Sequence, residues 1–186
     1  MRFLSTILLT FVCLLSSAQT MVAFHVTPDG SFISPDGDDF VVVKFENKSA
    51  HEIFQSLASN VSSLYNDPSK VMSTVDDASI KIRAMETICA NKGLGITIGS
   101  WIGYYQLDFK IKDGRVRVSA PVIEHYMKDS NFKKPDKSYP GYVKGFFKDG
   151  ELKENKKDEY EALNFKFNLI INSILGLTKS EKENDW

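Results

Sequence analysis

Along Leu107 to Lys112 and again along Arg115 to Ala120, apolar and polar residues alternate one by one. That period of two belongs to strands with one buried face. The pattern around this stretch predicts three long strands, Ile80 to Ala90, Thr97 to Lys112 and Arg115 to Tyr126. Asp113-Gly114 joins the last two, and Asp-Gly is suited to the positive φ angles of a two-residue hairpin turn. Such a turn sets the register, with Lys112 facing Arg115, Ile111 facing Val116, Phe109 facing Val118 and Leu107 facing Ala120. These apolar pairs fall on one side of the sheet, and Lys110 opposite Arg117 and Lys112 opposite Arg115 fall on the other. In the first strand Ile80, Ile82, Ala84, Ile88 and Ala90 share a face, with Lys81, Arg83 and Met85 opposed. Glu86 interrupts the apolar set, which predicts a bulge or strand end nearby. The glycines between Gly93 and Gly103 are expected to mark bends in a long twisted strand. Their spacing imitates a dinucleotide fingerprint, but no helix follows to receive phosphates.

The flanking segments carry clear local signals. Phe40 to Glu46 (FVVVKFE) reads as a buried strand. Ser49 followed by Glu52 matches a capping box. Ile53, Phe54, Leu57, Ala58, Val61, Leu64 and Tyr65 then recur at helical spacing until Asn66-Asp67-Pro68. A short strand, Lys70 to Val75, follows. Upstream, Thr27-Pro28-Asp29-Gly30 and Ser34-Pro35-Asp36-Gly37 are turn sequences. Their aspartates lack the D-x-D-x-D-G spacing and closing glutamate of a calcium loop. Residues 128–157 mix lysines with Phe132, Tyr139, Tyr142, Phe146 and Phe147, and read as a flexible loop with a hairpin at Asp149-Gly150. Asp158 to Leu177 is a predicted helix with Tyr160, Leu163, Phe167, Ile170, Ile171 and Ile174 on one face, and 179–186 is a tail.

The first residues change the setting. Arg2, the apolar run Phe3 to Leu15 and the small residues Ser16-Ser17-Ala18 form a signal-peptide pattern, with cleavage expected near Ala18. The run is shorter than the roughly 20 residues that span a bilayer. The expected organisation is therefore a signal peptide at 1–18, a strand and turn segment at 19–39, a single domain at 40–178 and the tail. Cleavage leaves 168 residues (186 less 18), with 22 Lys+Arg (23 less Arg2) against 24 Asp+Glu. A near-neutral balance argues against a general nucleic-acid binder. No second apolar run predicts a transmembrane helix in the mature chain. Cys13 leaves with the leader, so Cys89 is a lone thiol and stability must come from the core.

Two amphipathic helices and a sheet with one apolar face predict an α+β fold. The expected architecture is an antiparallel twisted sheet with both helices packed on one face, and a long Lys/aromatic-rich loop before the last helix. The stretch SAHEIFQSLASNVSSLYNDPSKVMSTVDDASIKIRAM, from Ser49 to Met85, resembles a family of exported bacterial domains of unknown function. The resemblance rests on the Ser-Ala helix start, the aromatic at Phe54 and the Asn-Asp-Pro exit with its following strand. It covers roughly residues 40 to 126 and implies a TATA-box-binding-protein-like fold, β-α-β(4)-α, in an exported setting. It implies no activity.

Candidate chemistry is sparse. His25, His51 and His125 show no metal-ligand spacing. No serine has a nucleophile context, and Glu86 and Asp108 are carboxylates with no spacing that assigns them acid–base roles. Asn47-Lys48-Ser49 and Asn60-Val61-Ser62 match glycosylation sequons. No catalytic residue, metal or cofactor is expected. The function expected is a non-catalytic exported binding or assembly module, periplasmic or secreted. The alternative is a small periplasmic hydrolase assembled from residues distant in sequence, with His125 beside a carboxylate. The candidate binding residues are Lys110, Lys112, Arg115 and Arg117, joined by Lys81 and Arg83 if their strand lies alongside. An anionic glycan, a lipid headgroup or an acidic envelope protein would suit them; the alternative role is a solvated edge blunted by charge.

Overall fold

The computed structural model describes residues 21–93, 96–128 and 143–178, with the backbone alone for 87–93, 96–102 and 125–128. The expected leader and the expected tail beyond residue 178 lie outside the described residues, as does most of the first half of the predicted loop. The main elements of the described residues follow in order: β1 His25–Val26, β2 Phe32–Ile33, β3 Phe40–Lys44, α1 Ala50–Leu64, α2 Pro68–Val71, β4 Met72–Val75, β5 Ser79–Gly93, β6 Ile96–Lys112, β7 Arg115–Ser119, β8 Val122–Lys128, β9 Phe147–Lys148, β10 Glu151–Leu152 and α3 Lys157–Leu175. The main sheet is antiparallel in the order β3-β7-β6-β5-β4, with β8 also paired to β6.

The hairpin has the register that its turn and apolar pattern imply, from Lys112 opposite Arg115 to Phe109 opposite Val118. The turn itself differs from the expectation. Gly114 has φ 71°, but Asp113 is not in the positive-φ region. Gly114 is instead tied to the β3–α1 connection: the Phe45 N–H donates to its carbonyl and its N–H donates to the Lys48 carbonyl, each at 2.8 Å. The Asp113 carboxylate accepts the Ala50 N–H at 2.7 Å. Asp149-Gly150 does place both residues at positive φ, 52° and 85°, between β9 and β10.

Two of the three long strands form as expected, while the third is split. β7 stops at Ser119 and β8 resumes at Val122, pairing with an earlier stretch of β6 from Gln106 to Trp101. Pro121 lacks the N–H that a continuous ladder needs and is found at such breaks. The bulge expected near Glu86 is a register shift between Thr87 and Cys89. Phe40–Lys44 is half-buried and not a fully buried strand, because it is an edge strand beside β7 alone and Val42 is 48% exposed. Lys70 and Val71 belong to the one-turn α2, so the predicted strand there begins at Met72.

Both long helices pack on the inner face. Ile53, Leu57 and Val61 of α1 and Leu163, Phe167, Ile171 and Ile174 of α3 are buried against Ile80, Ile82, Tyr105, Leu107, Phe109, Val116 and Val118 of the sheet. Removing such a side chain from water contributes about 1.5–3 kcal/mol each. The capping box is present in full at the start of α1, and the Ser49 backbone N–H donates to Glu52 at 2.8 Å. Asn60 belongs to the helix packing, since its amide donates to the Ile174 carbonyl at 2.9 Å.

The segment before β3 contributes Val22, Phe24, Val26 and Phe32 to the same core. It is held by a stripe of asparagines on α3. The N–H groups of Val22, Phe24 and Val26 donate to the Oδ1 atoms of Asn172, Asn168 and Asn164 at 2.8, 2.8 and 2.9 Å. Asn168 and Asn172 donate back to the Phe24 and Val22 carbonyls at 2.9 and 2.7 Å. One helix thus presents the donors and acceptors that a neighbouring strand would. The turns that follow behave as turn chemistry requires: Asp29 accepts from Thr27 and Ser31, which holds its carboxyl down at about 2.

Candidate functional site

Strand alternation turns one set of side chains away from the helices, and this outer face is where the predicted cations meet. Two rows cross it. Lys44, Arg115 and Lys112 form the first; Val42, Arg117, Lys110 and Ser79 form the second. Neighbouring strands lie about 4.8 Å apart and alternate residues along a strand about 6.8 Å apart, so the cations share a patch roughly 10 Å by 7 Å. Lys44 joins them because β3 pairs with β7, which local sequence does not specify.

Facing like charges destabilise a strand pair by up to about 1 kcal/mol. Part of the relief comes from Phe40, whose ring lies under the Arg117 guanidinium at 4.0 Å from centroid to carbon. Asp39 stands 4.0 Å from the same guanidinium and is itself exposed. The other acids are engaged elsewhere. Asp113 caps α1, Asp108 is directed at Lys81 at 4.0 Å, and Glu124 accepts from Arg83 at 2.9 Å. Lys81 and Arg83 do lie on this face, each with a carboxylate beside it. Among the described residues no carboxylate stands within ion-pair distance of Lys110, Lys112 or Arg115.

Other candidates are not assembled into a catalytic arrangement by the described residues. Glu86 and Asp108 lie on opposite faces of the sheet: Glu86 points to the helix side, 3.1 Å from Lys166 of α3. That ion pair accounts for a carboxylate in an otherwise apolar register. His51 Nδ1 is 2.8 Å from Asp77 at the surface. The side chains of His125 and Cys89 are outside the described residues. Among the described residues no three His, Cys, Asp or Glu are grouped to hold a metal. No described helix is long and apolar enough to cross a membrane. The hydroxyls of buried Tyr105 and partly buried Tyr65 bond to one another at 2.8 Å. Burial raises both phenols, Tyr105 far above its ordinary range, so this pair stays neutral inside the core.

No protein-family model matches the sequence. No curated protein matches it either. Among solved structures, a TBP-like protein from Parabacteroides distasonis superposes with a TM-score of 0.56 at 18% identity, covering 74% of this chain and 89% of that one. The fold is TBP-like. A DUF4468 family protein from Bacteroides ovatus also superposes with a TM-score of 0.56, at 10% identity, over 91% of this chain and 95% of its own. The α+β architecture expected from sequence, with both helices on one face of an antiparallel sheet, is thus the TBP-like one. What is shared at such identities is the scaffold, and function has to be argued from the residues placed on it. On this TBP-like sheet the candidate residues are the outward cations.

Proposed function

We propose that this protein is a non-catalytic, exported binding or assembly module of the bacterial envelope, which holds an anionic partner on the outer face of its TBP-like sheet. The observation that carries this is the facing of Lys110 on Arg117 and Lys112 on Arg115, in which only Arg117 has a carboxylate, the exposed Asp39, within ion-pair distance among the described residues. Burial does not account for it, since the core lies on the other face. The leader pattern ending near Ala18 supports export, and both solved structures that superpose on the chain come from bacteria.

The test is retention on an acidic matrix such as immobilised heparin. Lys110→Thr combined with Arg117→Thr replaces two cations with a residue suited to strands. The parent is expected to bind at low salt and elute as salt screens the surface charges, and the double variant to elute earlier. Identical elution of the two overturns the binding face. Reproducible turnover of an ester, peptide, glycan or phosphate substrate, abolished by a single substitution, overturns the non-catalytic assignment.

A further inference from the structure

The outer face can be read beyond its charge, because its apolar side chains are as informative as its cations. Exposed Met85, Tyr104 and Val122 cluster near the β8 end of the sheet. Tyr104 is six residues along β6 from Lys110, or about 20 Å at strand rise. Between them stand the Lys81–Asp108 and Arg83–Glu124 pairs. The second row ends on an exposed valine at each side, Val42 beside Arg117 and Val75 beside Ser79, and the Phe40 ring is covered by Arg117.

This layout separates the three kinds of anionic partner. A protein interface concentrates aromatic and apolar anchors at its centre and puts charge on the rim; here the order is reversed, with contiguous cations at the centre, single valines at the ends of the second row and Tyr104 about 20 Å away. A lipid surface takes basic residues together with a cluster of apolar ones that insert at the same contact, whereas Val42 and Val75 stand singly at opposite ends of the row and Met85 and Tyr104 lie beyond the Lys81–Asp108 and Arg83–Glu124 pairs. A linear polyanion needs neither. It needs closely spaced cations in rows on an open surface, with arginine forks that take two oxygens of a carboxylate or sulfate group at once. Arg115 and Arg117 occupy alternate positions of one strand, and Lys112, Lys110 and Lys44 flank them on both sides.

Resting on the anion-binding reading above and narrowing it, we infer that the occupant is a linear acidic glycan, bearing carboxylate or sulfate groups and long enough to lie across both rows. Calorimetric titration of the mature protein at low salt tests this. The probes are size-fractionated heparin oligosaccharides from the disaccharide upward, polygalacturonate, polyglutamate, phosphatidylglycerol vesicles and inorganic phosphate. Affinity is expected to rise with oligosaccharide length and then level off, and to exceed that for vesicles, polyglutamate and phosphate. Lys112→Thr with Arg115→Thr, and separately Lys110→Thr with Arg117→Thr, should each weaken the longer oligosaccharides by about fivefold to tenfold. The substituted side chains are exposed, and an unchanged circular dichroism spectrum confirms that each variant is folded. Length-independent binding, or vesicles or polyglutamate bound as tightly as the oligosaccharides, overturns the glycan assignment alone. A parent that binds none of the polyanions overturns that assignment and the anion-binding face together.

Discussion

At the scale of single residues, the asparagine stripe of α3 is the most consequential polar feature of the fold. Asn172 is 1% exposed and satisfies both the N–H and the carbonyl of Val22. Its truncation would leave two buried backbone groups without partners, each costing about 1–3 kcal/mol. Asn172→Ala should therefore destabilise by roughly 2–4 kcal/mol in urea unfolding. Asn164→Ala removes one partly buried bond, to the Val26 N–H, and should cost about 1 kcal/mol. Equal losses in the two variants would show that the stripe does not hold the segment in this way. The stripe is visible in the sequence as three asparagines at intervals of four, but its partner lies 150 residues away.

The start of α1 makes the corresponding case at the scale of an element. Ser49 and Glu52 satisfy free N–H groups at its first turn, and Ser49→Ala should cost about 1 kcal/mol at neutral pH. Hydrogen bonds from the Ser49 backbone and then its side chain hold the Glu52 carboxyl below its ordinary value of 4.5. A folded-state value below the unfolded one means that this contribution is complete above 4.5 and is lost as pH falls through the lowered value. The stability gap between parent and Ser49→Ala in denaturant titrations should thus be widest at neutral pH and shrink in acid. A gap that stays constant down through the acid range would show that the bond between the Ser49 hydroxyl and the Glu52 carboxylate contributes nothing to the cap.

For the molecule as a whole, the TBP-like arrangement gives the two faces of the sheet different work. The inner face, with α1, α3 and the N-terminal segment, supplies the buried core. The outer face carries like charges opposite one another, which burial does not explain. If those cations serve binding, removing them should not weaken the fold. Lys110→Thr with Arg117→Thr is expected to leave the melting temperature unchanged or raise it slightly, by the equivalent of a few tenths of a kcal/mol. A clear loss of stability would mean that Arg117, stacked on Phe40 and near Asp39, serves the fold.

The amino-acid sequence by itself determined the hairpin register, the capped start of α1, the tight turns and the one-sided burial of sheet and helices. These rest on interactions within a few residues: a glycine at positive φ, a side chain reaching three positions along, and periods of two and 3.6. It also placed Lys110, Lys112, Arg115 and Arg117 on one face, because alternation across a two-residue turn leaves no other choice. Other features were decided only in three dimensions. Pro121 divides the third strand into one piece that pairs with β3 and β6 and another that pairs with β6 further back. The pairing of β3 with β7 brings Lys44 and Phe40 to the cationic rows, and Asp113 caps a helix 63 positions away. The asparagines of α3 find the start of the described chain. Each of these joins segments far apart in sequence, and which distant segments meet is set by how the whole core closes, since no local preference distinguishes one edge from another.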